Sequence, residues 1–217
     1  MSQTPETGPE STAHAQHPRF AAYYERASRG KSESRFFEPL RRELLEQAYG
    51  QVLEVGAGTG LNFSLYQPEK VTGVEALEPD NTMLSYARGR IAQARVPINL
   101  IQGTAEALPG ADNSYDCVVA TLVFCSVDDP ARGFQEIRRV LKPGGTLLLL
   151  EHVRAQGRFA AGLQGLLLPL TTRMAGNCHW NRNTARTVSE AGFEIDQERH
   201  LSGWLLPMLH LRATSPA

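Results

Sequence analysis

Apolar positions along this chain change their period twice. Phe20, Tyr23, Tyr24 and Ala27 recur at helical spacing, and Phe36, Phe37, Leu40, Leu44 and Leu45 do so again. Two N-terminal helices are therefore expected. Strand-like runs then alternate with helical ones: Gln51–Val55, a short helix from Gly60, Val71–Leu77, a helix over 81–94, and Ile98–Gln102. Cys117–Phe124, a helix over 130–141 and Thr146–Val153 follow. Val118-Val119-Ala120-Thr121-Leu122-Val123-Phe124, apolar but for Thr121, and Leu147–Leu150 do not alternate, as suits strands covered on both faces of a parallel sheet. Between two of these elements, Pro143-Gly144-Gly145 reads as a turn. The last third differs. Phe193–His200 and Trp204–Arg212, joined by Ser202-Gly203, are close enough in sequence to pair as an antiparallel hairpin. The expectation is an α/β fold of seven strands, mostly parallel, ending in that hairpin.

Composition narrows the field. A chain of 217 residues has room for one α/β domain with a sizeable core. Its net charge of −1 implies no polyanion-binding face, which argues against a nucleic-acid partner. No apolar run approaches the roughly 20 residues that span a bilayer. Residues 1–17 have no apolar segment and are rich in Ser, Thr, Pro, Glu and Gln, so they read as a disordered polar tail rather than a signal peptide. The domain is expected over 18–217, with 18–50 as N-terminal helices and 154–184 as a substrate cap. Cys117, Cys125 and Cys178 are odd in number and lack metal-type spacing. They read as reduced thiols of a cytoplasmic protein, and no metal is expected.

Val52-Leu53-Glu54-Val55-Gly56-Ala57-Gly58-Thr59-Gly60 carries the strongest chemical signal. Glycine at every second position lets the chain turn out of a strand and present N–H groups to a ligand. A dinucleotide fold would place its third glycine one residue later. The acid before the first glycine and the Gly-x-Gly-x-Gly spacing resemble motif I of the class I S-adenosylmethionine-dependent methyltransferases. The resemblance implies a Rossmann-like seven-stranded sheet and S-adenosylmethionine as cofactor. Glu54, Gly56, Ala57, Gly58 and Gly60 would serve the glycine loop.

Glu78-Pro79-Asp80-x-x-Met83-Leu84 resembles the family's segment after the second strand, where an acid accepts the ribose hydroxyls. Glu78 is favoured for that role over Glu75, with Pro79 beside it. Gly103-Thr104-Ala105-Glu106-Ala107-Leu108-Pro109 resembles the adenine-binding Gly-Asp-Ala-Glu-x-Leu-Pro, except that Thr104 stands where the family has Asp. Thr104 and Ala105 would contact adenine. Asp112-x-Ser114-Tyr115-Asp116 and Val140-Leu141-Lys142-Pro143-Gly144-Gly145 match later motifs, so the likeness covers roughly residues 50–153.

The acceptor must be read elsewhere. Thr121-Leu122-Val123-Phe124-Cys125-Ser126-Val127, Glu151-His152-Val153 and Cys178-His179-Trp180-Asn181-Arg182-Asn183-Thr184 resemble segments of the animal thiol S-methyltransferases and their bacterial relatives. Thr121 would face the methyl group. The implied reaction is in-line transfer to a small-molecule thiol, in detoxification or metabolite tailoring. His152 is the first candidate for general base and His179 the second, with Arg182 as charge partner of the thiolate. Cys125 and Cys178 read as structural or pocket-lining. Residues 159–174, with Leu163, Leu166, Leu167, Leu168 and Leu170, fit either an apolar lid or a packed helix. The competing reading is transfer to oxygen, nitrogen or carbon of a small molecule, a quinone precursor or a phospholipid headgroup. The mixed charges of Glu38, Arg41, Arg42, Glu43 and Glu46 argue against a basic membrane-surface helix there.

Overall fold

A computed structural model describes residues 18–174, 176–201 and 203–216. The expectation of a disordered tail over 1–17 lies outside the described residues, as does Ser202 of the expected hairpin turn. Seven strands form one sheet: β1 (Gly50–Val55), β2 (Val71–Glu78), β3 (Ile98–Gln102), β4 (Tyr115–Thr121), β5 (Leu141–His152), β6 (Glu194–Leu201) and β7 (Met208–Thr214). Their order across the sheet is β3-β2-β1-β4-β5-β7-β6. All neighbours run parallel except β7, which is antiparallel to both β5 and β6. Strand order reverses between β1 and β4, and a ligand crevice opens beyond the carboxyl ends at such a switch point.

The all-apolar strands are divided between two cores by their alternation. Leu147 and Leu149 join Val118, Ala120, Phe134 and Ile137 on one face. Leu148 and Leu150 join Cys117, Val119, Leu44 and Leu45 on the other. Helices α1 (Pro18–Ala27) and α2 (Glu38–Leu45) precede the sheet, with a π-helical turn at Glu33–Phe37 leading into α2. The connecting helices are α3 (Asn81–Arg90), α4 (Pro130–Val140), α5 (Arg158–Met174) and α6 (Thr184–Glu190). Asp80 caps α3 by accepting from the Thr82 and Met83 N–H groups at 2.7 and 3.0 Å. Asp129, with Pro130 at the first turn, starts α4 in the same way.

Several boundaries depart from those the pattern predicts. No α-helix forms from Gly60; the segment makes only a 3₁₀ turn at Phe63–Leu65. The helix expected over 81–94 leaves α geometry after Arg90 and finishes as a 3₁₀ turn. β4 stops at Thr121 rather than Phe124, because the buried Glu151 carboxylate accepts from the N–H groups of Val123, Phe124 and Cys125 at 2.9, 2.9 and 3.4 Å. Those donors are thereby taken from the sheet, and Leu122 turns at φ 61°. Lys142–Gly145 does not separate helix from strand. It is a register break within β5, where Gly144 N–H donates to the Ser215 carbonyl at 2.9 Å. β7 begins at Met208 rather than Trp204, leaving Trp204 exposed and stacked on Phe159.

Gln164 on α5 ties the last third of the chain together. Its amide is fully buried, accepts from Ala155 N–H at 2.7 Å and donates to the carbonyls of Val153, Trp180 and Leu205 at 3.2, 3.3 and 3.0 Å. Gln164→Leu should cost about 2–4 kcal/mol, since it orphans backbone groups of three segments at once. Denaturant unfolding checks this; a change within error would mean that water replaces the amide. Among the described residues, no helix is long and apolar enough to cross a membrane.

Candidate active site

The crevice at the switch point is a cavity of about 720 Å³. The glycine loop forms one wall. Gly56 sits at φ 67°, and a Cβ there would come within 2.5 Å of Val123 in the neighbouring β4 loop. Gly58 sits at φ 55°, and a Cβ on it would meet only open space. The first glycine therefore lets two loops close on each other, and the second leaves the floor free. Gly58 N–H donates to Glu78 Oε2 at 2.9 Å, while Asp80 N–H donates to Glu78 Oε1 at 3.0 Å. Burial pushes the Glu78 carboxyl up to about 7, against the pull of those two donors. Glu75, the alternative acid, lies half-buried and accepts from the Tyr115 hydroxyl.

Gly56, Ala57, Gly58, Glu78 and Pro79 all line the cavity. So do Thr104, Ala105, Thr121 and His152. Glu54 and Gly60 do not. The Glu54 carboxylate lies beneath the floor, accepting from Asn62 Nδ2 and the Tyr66 hydroxyl, each at 2.9 Å. Gly60, at φ 81°, faces the Phe63 ring, which a Cβ would meet at 2.7 Å. Both residues shape the loop rather than touch a ligand in the cavity.

Along the cavity wall runs a buried polar network: Arg41, Tyr24, Asn62 and Thr121 all line the cavity, with Glu54 behind them. Arg41 of α2 is 3% exposed. It donates to Thr121 Oγ1 at 2.7 Å, Asn62 Oδ1 at 3.4 Å, Glu33 at 3.1 Å and the Tyr24 hydroxyl at 3.3 Å. Asn62 also donates to Thr121 Oγ1 at 3.1 Å, completing a chain from Arg41 to Glu54. Burial drives Glu54 up to about 7, with Tyr66, Asn62 and Arg41 opposing it. In the sequence Arg41 counts only as one of the mixed charges over 38–46. Its spacing with Phe37, Leu44 and Leu45 sets it on an apolar stripe, which is the signal that could have revealed it.

At the far end of the cavity, two loops are pinned together. The His179 N–H donates to the Cys125 carbonyl at 2.6 Å, and Arg182 Nη1 donates to the Phe124 and Val127 carbonyls, each at 2.6 Å. Asn177 Nδ2 reaches the Ser126 carbonyl at 3.3 Å. His179 and Arg182 consequently do not line the cavity: the His179 ring meets the Asn177 side chain at 3.1 Å, and Arg182 is spent on carbonyls. Among the described side chains of α5, only those of Thr172 and Arg173 reach the wall; the leucines do not, and Leu166 and Leu170 are exposed. These loops bring Cys125, Cys178 and His152 to one corner. Burial alone would lower the His152 pKa, but the hydrogen bond with Cys125 and the charges of Cys125 and Glu151 hold it above its ordinary value. Between the paired thiols, the hydrogen bond from Cys125 and the Arg182 charge pull Cys178 down, while that same hydrogen bond and burial push Cys125 well up.

The cavity with its glycine floor and paired acid matches known proteins. The family described as "Methyltransferase domain" matches residues 53–149. The chain is 35% identical to human thiol S-methyltransferase TMT1B over 182 residues, covering 76% of this chain and 72% of that protein. It belongs to the class I S-adenosylmethionine-dependent methyltransferases. This methyltransferase is also 37% identical to the rat TMT1B over 144 residues, covering 65% of the chain and 59% of that relative's length. The solved structure of an S-adenosylmethionine-dependent methyltransferase from Thermotoga maritima superposes with a TM-score of 0.67 at 24% identity, covering 91% of this chain and 97% of that one. The cofactor of this methyltransferase is S-adenosylmethionine, and the open floor at Gly58 beside the Glu78 carboxylate fits it.

Proposed function

We propose that this methyltransferase transfers its methyl group to the sulfur of a small-molecule thiol. The observation that carries the reading is the corner where donor atoms of Cys125, His152 and Cys178 lie within 4.8 Å of one another, in a wall that also includes the apolar Leu122 and Val123. Sulfur and imidazole there suit a soft, polarizable acceptor better than a hard oxygen or a cationic amine. Relatives about a third identical over much of the chain carry the name thiol S-methyltransferase.

Glu78 would accept the ribose hydroxyls, Thr104 and Ala105 would flank adenine, and the loop from Gly56 to Gly58 would approach the remainder. The bound cofactor supplies a methyl group on a positively charged sulfur. His152, on the cavity wall, takes the acceptor's proton, because the thiolate is the reactive nucleophile. The thiolate that His152 generates would be the acceptor for the cofactor's methyl group, and the spent cofactor would leave as a neutral thioether. Charge cancels in this step, so the apolar wall of Leu122 and Val123 does not oppose it.

Incubation with labelled S-adenosylmethionine and a panel of thiols, phenols, amines and lipids tests the reading. Label should pass to thiols; transfer to phenols or lipids with none to thiols would overturn it. His152→Ala should lower turnover by about 100-fold while leaving cofactor affinity within a factor of about two. Undiminished turnover would remove the imidazole from the proton path.

A further inference from the structure

We propose that Cys125, His152 and Cys178 form a binding site for a thiophilic divalent cation of the zinc type, whose fourth position takes the acceptor sulfur. The acceptor half of this proposal rests on the thiol reading above; the ion site itself does not. The three residues come from the loop after β4, the end of β5 and the loop before α6. Far apart in sequence, they show no ligand spacing, yet one donor atom from each lies within 4.8 Å of the other two. Tetrahedral zinc, with bonds of about 2.3 Å to sulfur and about 2.0 Å to nitrogen, sets its ligand atoms roughly 3.5–3.8 Å apart. A shift of about an ångström in side-chain torsions would close that gap.

Two thiols and an imidazole favour zinc or another soft ion over magnesium or calcium. Three protein ligands with one position open is the pattern of reactive zinc sites, whereas structural sites close all four. All three residues line the cavity, so the open position faces the space where an acceptor would lie. The frame is prepared in advance. Cys125 is held by its N–H on Glu151 at 3.4 Å and by its carbonyl on the His179 N–H at 2.6 Å. His152 is fixed by strand pairing with Met208.

Charge supports the same assignment. Binding of a divalent cation would release the protons of both thiols to solvent, and two thiolates with one divalent cation make the three-residue cluster neutral. A third thiolate brings one negative charge, which Arg182 beside Cys125 and Cys178 offsets. On coordination, the acceptor's sulfur–hydrogen bond gives way to a sulfur–metal bond and the proton passes to solvent. The bound sulfur keeps a lone pair for the methyl carbon, and the neutral thioether that results is a weak ligand and leaves. With the ion present His152 is a ligand; its role as proton acceptor belongs to the metal-free protein.

Cobalt(II) reports on such a site directly. Reduced full-length protein, stripped with chelator, is titrated with cobalt and followed by absorption. One equivalent should bind, with a sulfur-to-cobalt charge-transfer band and tetrahedral ligand-field bands. Cys125→Ser and Cys178→Ser should each weaken the charge-transfer band and lower affinity by about 100-fold or more. Their circular dichroism and thermal melting show whether they fold; Cys178, the less buried, keeps the test usable if the Cys125 variant does not. Adding thiophenol should shift the ligand-field bands, and phenol should not. Absence of the charge-transfer band, or its persistence in both variants, would overturn the site. Indifference of the bands to thiophenol would overturn the acceptor position. Label transfer to thiols by protein that binds no cobalt would sink this proposal and leave the thiol reading standing. Cobalt binding with transfer only to oxygen would overturn the thiol reading and the acceptor half of the proposal and leave the ion site standing.

Discussion

Glu78→Ala is expected to weaken S-adenosylmethionine binding by at least about 100-fold, with the melting temperature of the cofactor-free protein lowered little or raised. Each hydrogen bond to a charged group is worth about 1.5–3 kcal/mol, and two ribose hydroxyls would share this carboxylate. The side chain is 7% exposed and pushed up to about 7 by burial, so the empty protein carries it partly protonated. Hydroxyl donors favour the ionised form, so binding should release a proton. Affinity must therefore rise with pH below about 7, by up to roughly tenfold per unit, and level off above it. Glu78→Gln should bind weakly with no such slope. Calorimetry across pH 6–8 in buffers of different ionisation heat reads both quantities. A flat wild-type profile would mean that the carboxylate is already charged before the cofactor arrives.

The second large effect lies in the cavity wall. Arg41→Ala should destabilise the fold by about 3–5 kcal/mol, because it removes one partner of a buried charged network and leaves the others unmatched. Against a total of roughly 5–15 kcal/mol, that is enough to unfold much of the protein near body temperature. Arg41→Lys keeps the charge but not the forked geometry that reaches Thr121, Asn62, Glu33 and Tyr24, so it should recover only part of the loss. The cost should depend on pH. Glu54 is pushed up to about 7 by burial, and the Arg41 charge is one of the influences holding it down. An acid whose folded pKa is raised loses stability as pH climbs from its unfolded value through its folded one. Removing Arg41 raises Glu54 further, so the penalty should be larger at pH 8 than at pH 6. An equal penalty at both would show that Arg41 and Glu54 are not coupled.

Periodicity made the fold legible, and reach limited what it said of the site. Leu147–Leu150 and Val118–Ala120 are apolar at every position because the sheet is covered on both faces, and that pattern survives any change of register. The glycine loop was equally legible, since left-handed backbone angles at Gly56 and Gly58 demand glycine locally. Glu78 is favoured over Glu75 by its resemblance to the family's segment after the second strand, and the structure puts Glu78, not Glu75, on the cavity wall. Strand ends were less legible. No local signal says that Glu151 will capture the N–H groups of Val123, Phe124 and Cys125 and end β4 early. His179 and Arg182 are named by the resemblance as candidates, but the Arg182 guanidinium and the His179 backbone N–H hold the loop after β4, and neither residue lines the cavity. The corner formed by Cys125, His152 and Cys178 depends on three distant segments meeting, and sequence spacing does not encode that meeting.

The central claim is that sulfur, not oxygen, receives the methyl group. One acceptor carrying both groups tests it most directly: 4-mercaptophenol, incubated with the protein and carbon-13 methyl-labelled S-adenosylmethionine, with the product followed by NMR. The account predicts a single new resonance in the S-methyl region and an unmodified phenol. A resonance in the O-methyl region with the thiol left free would contradict it.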